Sequence, residues 1–295
     1  MPRILIIGKN SFIGTNFKRF SYYKDFVDEI SLIENKPEEI DFSKYDVVLH
    51  LAAIVHQSKR VPENQYFEIN RDLCLKVAEL AAKAGVKQFV FLSTHKVYGS
   101  SDRKQILRNE TDECKPADAY GKSKYEAEIE LRKLENYDFI VSVVRCPVVY
   151  GDGVKGNIRK LIRLIECCPI LPFDKINNRR NFIYTENLVG FIDRIIKLRA
   201  SGTFVVKDEG ALSTTELVCF IAKNFGKRMI MFKLPGIFIR VMNYFAPSLV
   251  ESLFYSMDFN NKKTKEVLGF TPEITPEEGI HRMIEAYKEK KYGLS

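Results

Sequence analysis

The chain has no tryptophan, only 4 histidines and only 6 cysteines in 295 residues. The cysteines, at positions 74, 114, 146, 167, 168 and 219, form no C-x-x-C pair and no regular ladder. A disulfide-stapled scaffold is thereby excluded, and a reduced, cytoplasmic setting is expected. His50, His56, His95 and His281 match no common ligand spacing, so no metal site is expected. Long apolar runs are missing too. The longest, 229–254, is broken by Lys233, Pro235, Gly236, Arg240, Asn243 and Pro247, whereas a spanning helix needs about 20 mostly apolar residues. No transmembrane segment is expected, and this stretch reads as one or two amphipathic helices of a core or a partner surface. There is no internal repeat and no low-complexity linker, and 16 Gly with 11 Pro is ordinary globular usage.

What the chain has in excess is positive charge: 46 Lys and Arg against 38 Asp and Glu, a net +8. Such an excess suits nucleic acid, an anionic membrane or a phosphorylated small molecule. Residues 1–153 carry 23 basic and 23 acidic side chains and are neutral. Residues 154–181 carry Lys155, Arg159, Lys160, Arg163, Lys175, Arg179 and Arg180 against Glu166 and Asp174, a net +5. The excess therefore lies in the C-terminal half, and most of it in one short segment. That half shows no recognisable nucleic-acid module and no aromatic–basic interleaving, so nucleic acid is not an expected partner. A compact charge cluster suits one phosphorylated small molecule better than a polyanion.

Residues 3–8 are a short apolar run of the kind buried in a parallel sheet. Similar runs follow at 29–33, 46–51, 88–93 and 139–145, with helix-like segments between most of them, notably 71–84 and 120–134. The alternation predicts an α/β fold with a doubly wound, Rossmann-like parallel sheet. Residues 34–45 contain Pro37 and are too few for a full crossover helix, so the second crossover is shortened. After Gly151 comes a basic amphipathic helix, ended by Pro169 and Pro172, then a short strand at 181–184, a helix from Glu186 and a returning strand at 202–208. The expected organisation is a sheet domain of residues 1–153 plus about 182–208, and a smaller, mostly helical domain of 154–181 plus 209–295.

Three elements carry chemistry. Gly8-Lys9-Asn10-Ser11-Phe12-Ile13-Gly14 lies between the first strand and the first helix. Small residues there let backbone N–H groups approach a pyrophosphate at the positive end of the helix, and the same residues would also serve a plain strand-to-helix turn. Tyr120 and Lys124 are four apart on a helix and share a face, so the ammonium can lower the phenol pKa for proton relay. Ser93-Thr94 ends a central strand, where ligands bind in doubly wound folds, and its hydroxyl can reach the oxygen that Tyr120 protonates. Their order along the chain makes the combination far more specific than any member.

With these motifs the chain resembles an extended short-chain dehydrogenase/reductase of the NAD-dependent epimerase/dehydratase family, whose members modify nucleotide sugars. The similarity runs through GKNSFIG, HLAA, FEIN, FVFLSTHKVYG, YGKSK, RCPVVYGDGVKGN and RRNFIYTENLV. It is strongest toward bacterial polysaccharide-pathway enzymes, UDP-hexosamine 4-epimerases or C4 reductases of UDP-4-keto-6-deoxy-N-acetylhexosamines. The resemblance implies a cofactor, NAD or NADP, in the sheet domain and a UDP-sugar in the helical domain, with a homodimer through two sheet-flanking helices. It makes Thr94, Tyr120 and Lys124 catalytic, with Lys124 also on the nicotinamide ribose. Gly8, Ser11, Phe12, Ile13 and Gly14 would face the pyrophosphate, Asp41 and Phe42 the adenine, Leu51, Ala52 and Ala53 the adenosine side, and Pro147 with Val148 the carboxamide. Asn70, at the end of FEIN, joins the cofactor set. Asn157 and Arg180 would contact the UDP pyrophosphate, and Thr94 the substrate.

Two departures matter. Dehydratases of this family place Asp-Glu after the strand-end Thr, where this chain has His95-Lys96, so dehydration is disfavoured; both side chains would line the cleft, with an acid role for His95 as the other option. Glu34 lies near the place where NAD users hold the ribose 2′-OH, while Lys9 could meet a 2′-phosphate, which tilts the choice mildly toward NADPH. The expected reaction is reduction of a UDP-4-keto-6-deoxy-N-acetylhexosamine, with 4-epimerisation of UDP-GlcNAc or UDP-glucose through bound NAD as the alternative and a non-catalytic dinucleotide sensor as a third reading.

Overall fold

The computed structural model describes residues 1–55, 61–100 and 107–293; of the positions singled out above, His56 lies outside them. Six parallel strands form the main sheet: β1 (Ile4–Ile7), β2 (Val27–Ile30), β3 (Val47–His50), β4 (Gln88–Thr94), β5 (Ile140–Cys146) and β6 (Gly202–Val205). Their spatial order is β2-β1-β3-β4-β5-β6. Every residue of β1 and β3 is buried, which is why these segments read as continuous apolar runs. Alternation divides them between two layers. Ile4, Ile6, Val47, Leu49, Val90 and Val144 pack with Phe17 and with Leu188, Phe191 and Ile195 of helix Thr185–Leu198. Leu5, Ile7, Val48, Phe89, Phe91 and Val143 pack on the other face with helices Cys74–Lys83 and Ala119–Leu134.

The shortened crossover is observed as two 3₁₀ turns, Pro37–Glu39 and Phe42–Lys44. The second strand departs from expectation: it covers Val27–Ile30, not 29–33, and Ile33 is 98% exposed. It pairs only with β1, Ile4 opposite Val27 and Ile7 opposite Ile30, and the chain turns away at Ser31, whose carbonyl accepts from the N–H of Glu34 and Asn35. Likewise β6 ends at Val205, short of the expected 208.

A second core joins helices Gly156–Cys167, Thr214–Asn224 and Pro276–Tyr292 through Ile162, Ile165, Val218, Ile221 and Ile284. The short strand Phe182–Tyr184 pairs with Val148–Tyr150. Phe182 and Tyr184 face this helical core while Ile183 faces the sheet core, so one strand stitches the two together. Residues 229–254 hold two helices, Gly236–Phe245 and Pro247–Phe254. No helix among the described residues is long and apolar enough to cross a membrane.

Helix Ala119–Leu134 is tied to the sheet by a buried ion pair. Arg145 of β5 donates from Nη2 to Glu128 Oε2 at 2.6 Å and from Nε to the same carboxylate at 3.1 and 3.2 Å. Ser93 Oγ donates to Glu128, and Arg145 Nη1 donates to the Tyr98 hydroxyl at 3.0 Å. Arg145→Met strands the Glu128 carboxylate in the core and is expected to destabilise by about 3–5 kcal/mol, with Glu128→Gln/Arg145→Met recovering more than half of the loss; urea unfolding midpoints of the single and double variants check this.

Candidate active site

Because all six strands are parallel, their C-terminal ends share one edge of the sheet. Gly8 follows β1, Leu51 follows β3, Thr94 closes β4 and Pro147 follows β5. The chain leaves β1 toward β2 on one side and reaches β3 on the other, so the crevice of a doubly wound sheet opens there.

Gly8 has φ +128°, and a Cβ on it would stand 3.1 Å from Ala52 N and 3.3 Å from Leu51 C. Close approach of the two loops thus requires glycine. Ser11 caps helix Phe12–Phe20, its Oγ accepting from Gly14 N at 3.1 Å, and the amides of Phe12 and Ile13 have no acceptor within the helix. The N–H groups of Gly8 and Lys9 both donate to Ile30 O, so the amides left open at this loop are those at the helix start. Leu51 and Ala52 donate to Ile7 O at 2.9 and 2.8 Å. Asn70 lies in a π-helical turn, Glu68–Leu73. Its Oδ1 accepts from Ile54 N at 2.8 Å, while Nδ2 donates to Ile54 O at 3.0 Å and Ser123 Oγ at 3.1 Å. It therefore braces the segment after Ala53 against the helix of Tyr120 and offers a ligand no free group of its own.

Two of the adenine assignments look different in three dimensions. The Phe42 ring is buried with Leu5, Ile7 and Val48. The Asp41 carboxylate accepts from Ser43 Oγ at 2.6 Å and pairs with Lys44 at 3.1 Å; the Ser43 hydroxyl and Lys44 hold it below its usual range. The Phe42 side chain thus serves the core, while the Asp41 carboxylate, held by its neighbours, stays open to solvent. Lys9 Nζ meets Glu34 Oε2 at 3.0 Å, so the two candidates for cofactor selection form one pair.

Thr94, Tyr120 and Lys124 come together. Thr94 is buried at the end of β4, its Oγ1 accepting from Lys96 N at 3.3 Å, and its hydroxyl lies close enough to the Tyr120 phenol to act on its ionisation. Lys124, 2% exposed, donates to Leu92 O at 2.9 Å and sits 4.2 Å above the Phe91 ring centre. Burial pushes its ammonium down to about 8. The phenol is not lowered as expected. Burial, then neighbouring Cys146, lifts it above its ordinary value, and the Thr94 hydroxyl opposes that rise. The ammonium is turned to a carbonyl and a ring face, which accounts for the difference.

The start of this helix is set by Asp118, which the sequence pattern did not single out, together with Lys96. Asp118 Oδ1 caps it by accepting from Gly121 N at 2.7 Å, and Lys96 Nζ pairs with Asp118 at 2.7 Å. A Cβ on Gly121 would lie 2.7 Å from Lys96 O. Asp118 three residues before Gly121 is the cap spacing that could have revealed this. His95 is half-buried, its Nδ1 3.4 Å from Cys146 O, and burial followed by the Arg180 charge holds it down to about 3. Both effects favour the neutral imidazole, which disfavours the acid role.

Val148, Asn157 and Arg180 line one cavity of about 190 Å³ together with Phe173, Phe182 and Leu253. Arg180 is 8% exposed, donates from Nη1 to Glu251 O and Tyr255 O at 3.0 Å each, and burial brings it down to about 10. The cations of 154–181 do not form one cluster. Arg180 and Lys160 line this cavity, Arg159 and Arg163 line a groove with Lys290 and Lys291, and Arg179 pairs with Asp258 at 2.8 Å. Helical periodicity and an intervening turn spread residues that are close in sequence over several faces.

With the geometry in hand, likeness to known proteins can be weighed. The NAD dependent epimerase/dehydratase family pattern matches residues 27–206. A UDP-glucose 4-epimerase of Vibrio cholerae is 30% identical over 97% of this chain and 96% of its own length. The chain belongs to the NAD dependent epimerase/dehydratase family. Two solved structures share its fold. MoeE5, in complex with UDP-glucose and NAD, superposes with a TM-score of 0.78 at 20% identity, covering 97% of this chain and 99% of that one. A dTDP-4-dehydrorhamnose reductase from Bacillus anthracis, in complex with NADP, gives 0.76 at 19% identity and the same coverage. The protein is thus an enzyme of the short-chain dehydrogenase/reductase type, from a family described as NAD dependent.

Within this family member the buried lysine has a measurable signature. Its folded pKa lies below the ordinary 10.5, at about 8, so between these values the unfolded chain binds more protons and stability rises with pH. Lys124→Met removes that contribution. The unfolding free energy of the wild type relative to the variant is expected to increase by on the order of a few kcal/mol from about pH 8 to about pH 10.5, read from urea titrations of both proteins across that range.

Proposed function

We propose that this protein is a nucleotide-sugar oxidoreductase acting at C4 of a UDP-sugar, and that it interconverts C4 epimers. One observation carries the proposal: the Thr94, Tyr120 and Lys124 group lies at the strand ends, and His95, next to Thr94 with its Nδ1 3.4 Å from Cys146 O, connects it to the segment whose Val148 lines the cavity of Asn157 and Arg180. The room left by Gly8 and the helix-start amides of Phe12 and Ile13 fit a dinucleotide pyrophosphate. Leu51, Ala52 and Ala53 would line the adenosine side, Lys124 would hold the nicotinamide ribose, and Pro147 with Val148 would take the carboxamide. Bound NAD(P) supplies the hydride acceptor and donor.

The chain's own part is proton movement and placement. Tyr120 is held protonated by burial, so it stands ready to donate to a C4 keto oxygen. Taking the proton back from a C4 hydroxyl needs a lower phenol pKa, and Thr94 together with Lys124 are the groups at hand. Asn157 and the buried Arg180 would grip the UDP pyrophosphate. Lys96 is committed to Asp118 and His95 is neutral, so the acid–base pair that dehydration requires is absent at those positions.

The sequence tilted slightly toward a reductase using NADPH. Two observations turn that tilt around. Lys9 is neutralised by Glu34, which leaves a carboxylate for the ribose 2′-OH of NAD, and the Vibrio cholerae relative, alike over nearly its full length, is a 4-epimerase. The reading also carries a homodimer through two sheet-flanking helices and a cytoplasmic location.

Purified protein is expected to interconvert UDP-GlcNAc with UDP-GalNAc, or UDP-glucose with UDP-galactose, without added cofactor, and Tyr120→Phe to slow this about 10²- to 10⁴-fold. Consumption of NAD(P)H only when a UDP-4-keto sugar is supplied would replace the epimerase by the reductase, and full activity of Tyr120→Phe would sink the catalytic assignment. Glu34→Gln frees Lys9, so the ratio of NADP to NAD affinity should rise about tenfold, checked by fluorescence titration of the apoprotein with each reduced cofactor.

A further inference from the structure

Helix Gly236–Phe245 is built inside out. At about 100° per residue, Ile237, Phe238, Val241, Tyr244 and Phe245 share one face, and Ile239 with Met242 lie on another. Ile239 and Met242 are the half-buried pair that rests on the protein. The apolar face looks outward: Ile237 is 62% exposed, Phe238 58%, Tyr244 83% and Phe245 78%, and no residue of the helix is buried. A surface helix ordinarily turns its apolar stripe inward, and a contiguous exposed patch of this kind marks an interaction surface.

Charge identifies the occupant. From 226 to 250 the chain carries Lys227, Arg228, Lys233 and Arg240 and no Asp or Glu. All four cations are exposed. Lys233 and Arg240 lie beside Gly236 and Ile239, so a second copy meeting this face about a two-fold axis would set four like charges around one contact. An anionic lipid surface instead neutralises every cation while the aromatic face enters the headgroup boundary, the arrangement of helices that lie in the membrane plane.

We propose that Gly236–Phe245, with the cations around it, docks the protein on an anionic bilayer as a peripheral, in-plane contact. The next helix, Pro247–Phe254, contributes Leu249, Ser252 and Leu253 to the cavity of Arg180. Docking therefore places the substrate cavity beside the lipid surface.

The absence of tryptophan makes the test direct, because Phe238→Trp introduces a single indole on the outward face. With vesicles of roughly equal phosphatidylglycerol and phosphatidylcholine, the full chain is expected to sediment with lipid and the indole emission to shift to the blue. Affinity should fall at least about tenfold with pure phosphatidylcholine, and further as salt rises from about 0.1 to about 0.5 M. The variant Phe238→Ser/Tyr244→Ser/Phe245→Ser, and separately Lys233→Glu/Arg240→Glu, should each lose about tenfold in vesicle affinity at an unchanged thermal midpoint, since none of these side chains is buried. No vesicle binding by the wild type overturns the proposal, as does binding that the triple variant retains. A dimer in light scattering that the triple variant dissolves, with vesicles left unbound, assigns the face to a second copy and overturns it equally.

Discussion

The site depends on one buried ion pair. Glu128 and Arg145 are each almost without solvent contact, and an isolated charge at either position would cost several kcal/mol, so the carboxylate and guanidinium are tolerated only together. The pair fixes helix Ala119–Leu134 against β5, and the Ser93 hydroxyl on the same carboxylate ties in β4 one residue before Thr94. Glu128 is one turn beyond Lys124, which is one turn beyond Tyr120. The register that Glu128 imposes on the helix is therefore the register in which Tyr120 meets Thr94. At the other end, Asp118 and Lys96 fix where the helix begins, so the reacting side chains lie between two polar anchors and cannot slide along the strands.

Burial acts on the enclosed groups in opposite directions. It lowers Lys124 and raises Tyr120, and in each case it favours the neutral form. His50, stacked 5.7 Å from the Phe89 ring, is held down to about 3 by burial and then by Lys124. His50 is thus an uncharged imidazole beside the Lys124 ammonium.

The parallel sheet, its shortened crossover and the Gly8, Thr94, Tyr120 and Lys124 constellation were legible because each rests on local pattern: an apolar run, a turn glycine, an i to i+4 pair. The second strand was misplaced because Leu32 and Ile33 extend the apolar run past the point where pairing stops, and an edge strand's length is decided by its partner. That the Phe42 ring belongs to the core, packed with Leu5 and Val48, was not legible, because burial of a residue in a short loop is decided by the sheet beneath it. The charge segment misled for a simpler reason. Net charge along a chain says nothing of which helix face each cation takes, and Arg159, Arg179 and Arg180 end up in three different surroundings.

Asp208 shows how the two cores are joined without a large polar interface. Its buried carboxylate accepts from Tyr150 Oη at 2.7 Å, Asn187 Nδ2 at 2.7 Å and Tyr184 N at 3.0 Å. These donors come from the strand after β5, the helix on the sheet and the strand that faces both cores. Burial raises Asp208 to about 6, so at neutral pH it is ionised and its three donors are charge-assisted. A single carboxylate placed where three elements converge orients them more strictly than apolar contact does, because hydrogen bonds have direction and burial of hydrocarbon does not. The junction of the two cores is accordingly set by Asp208 and the seat of helix Ala119–Leu134 by Glu128 and Arg145, and the apolar cores on either side supply stability to a geometry that the buried charges define.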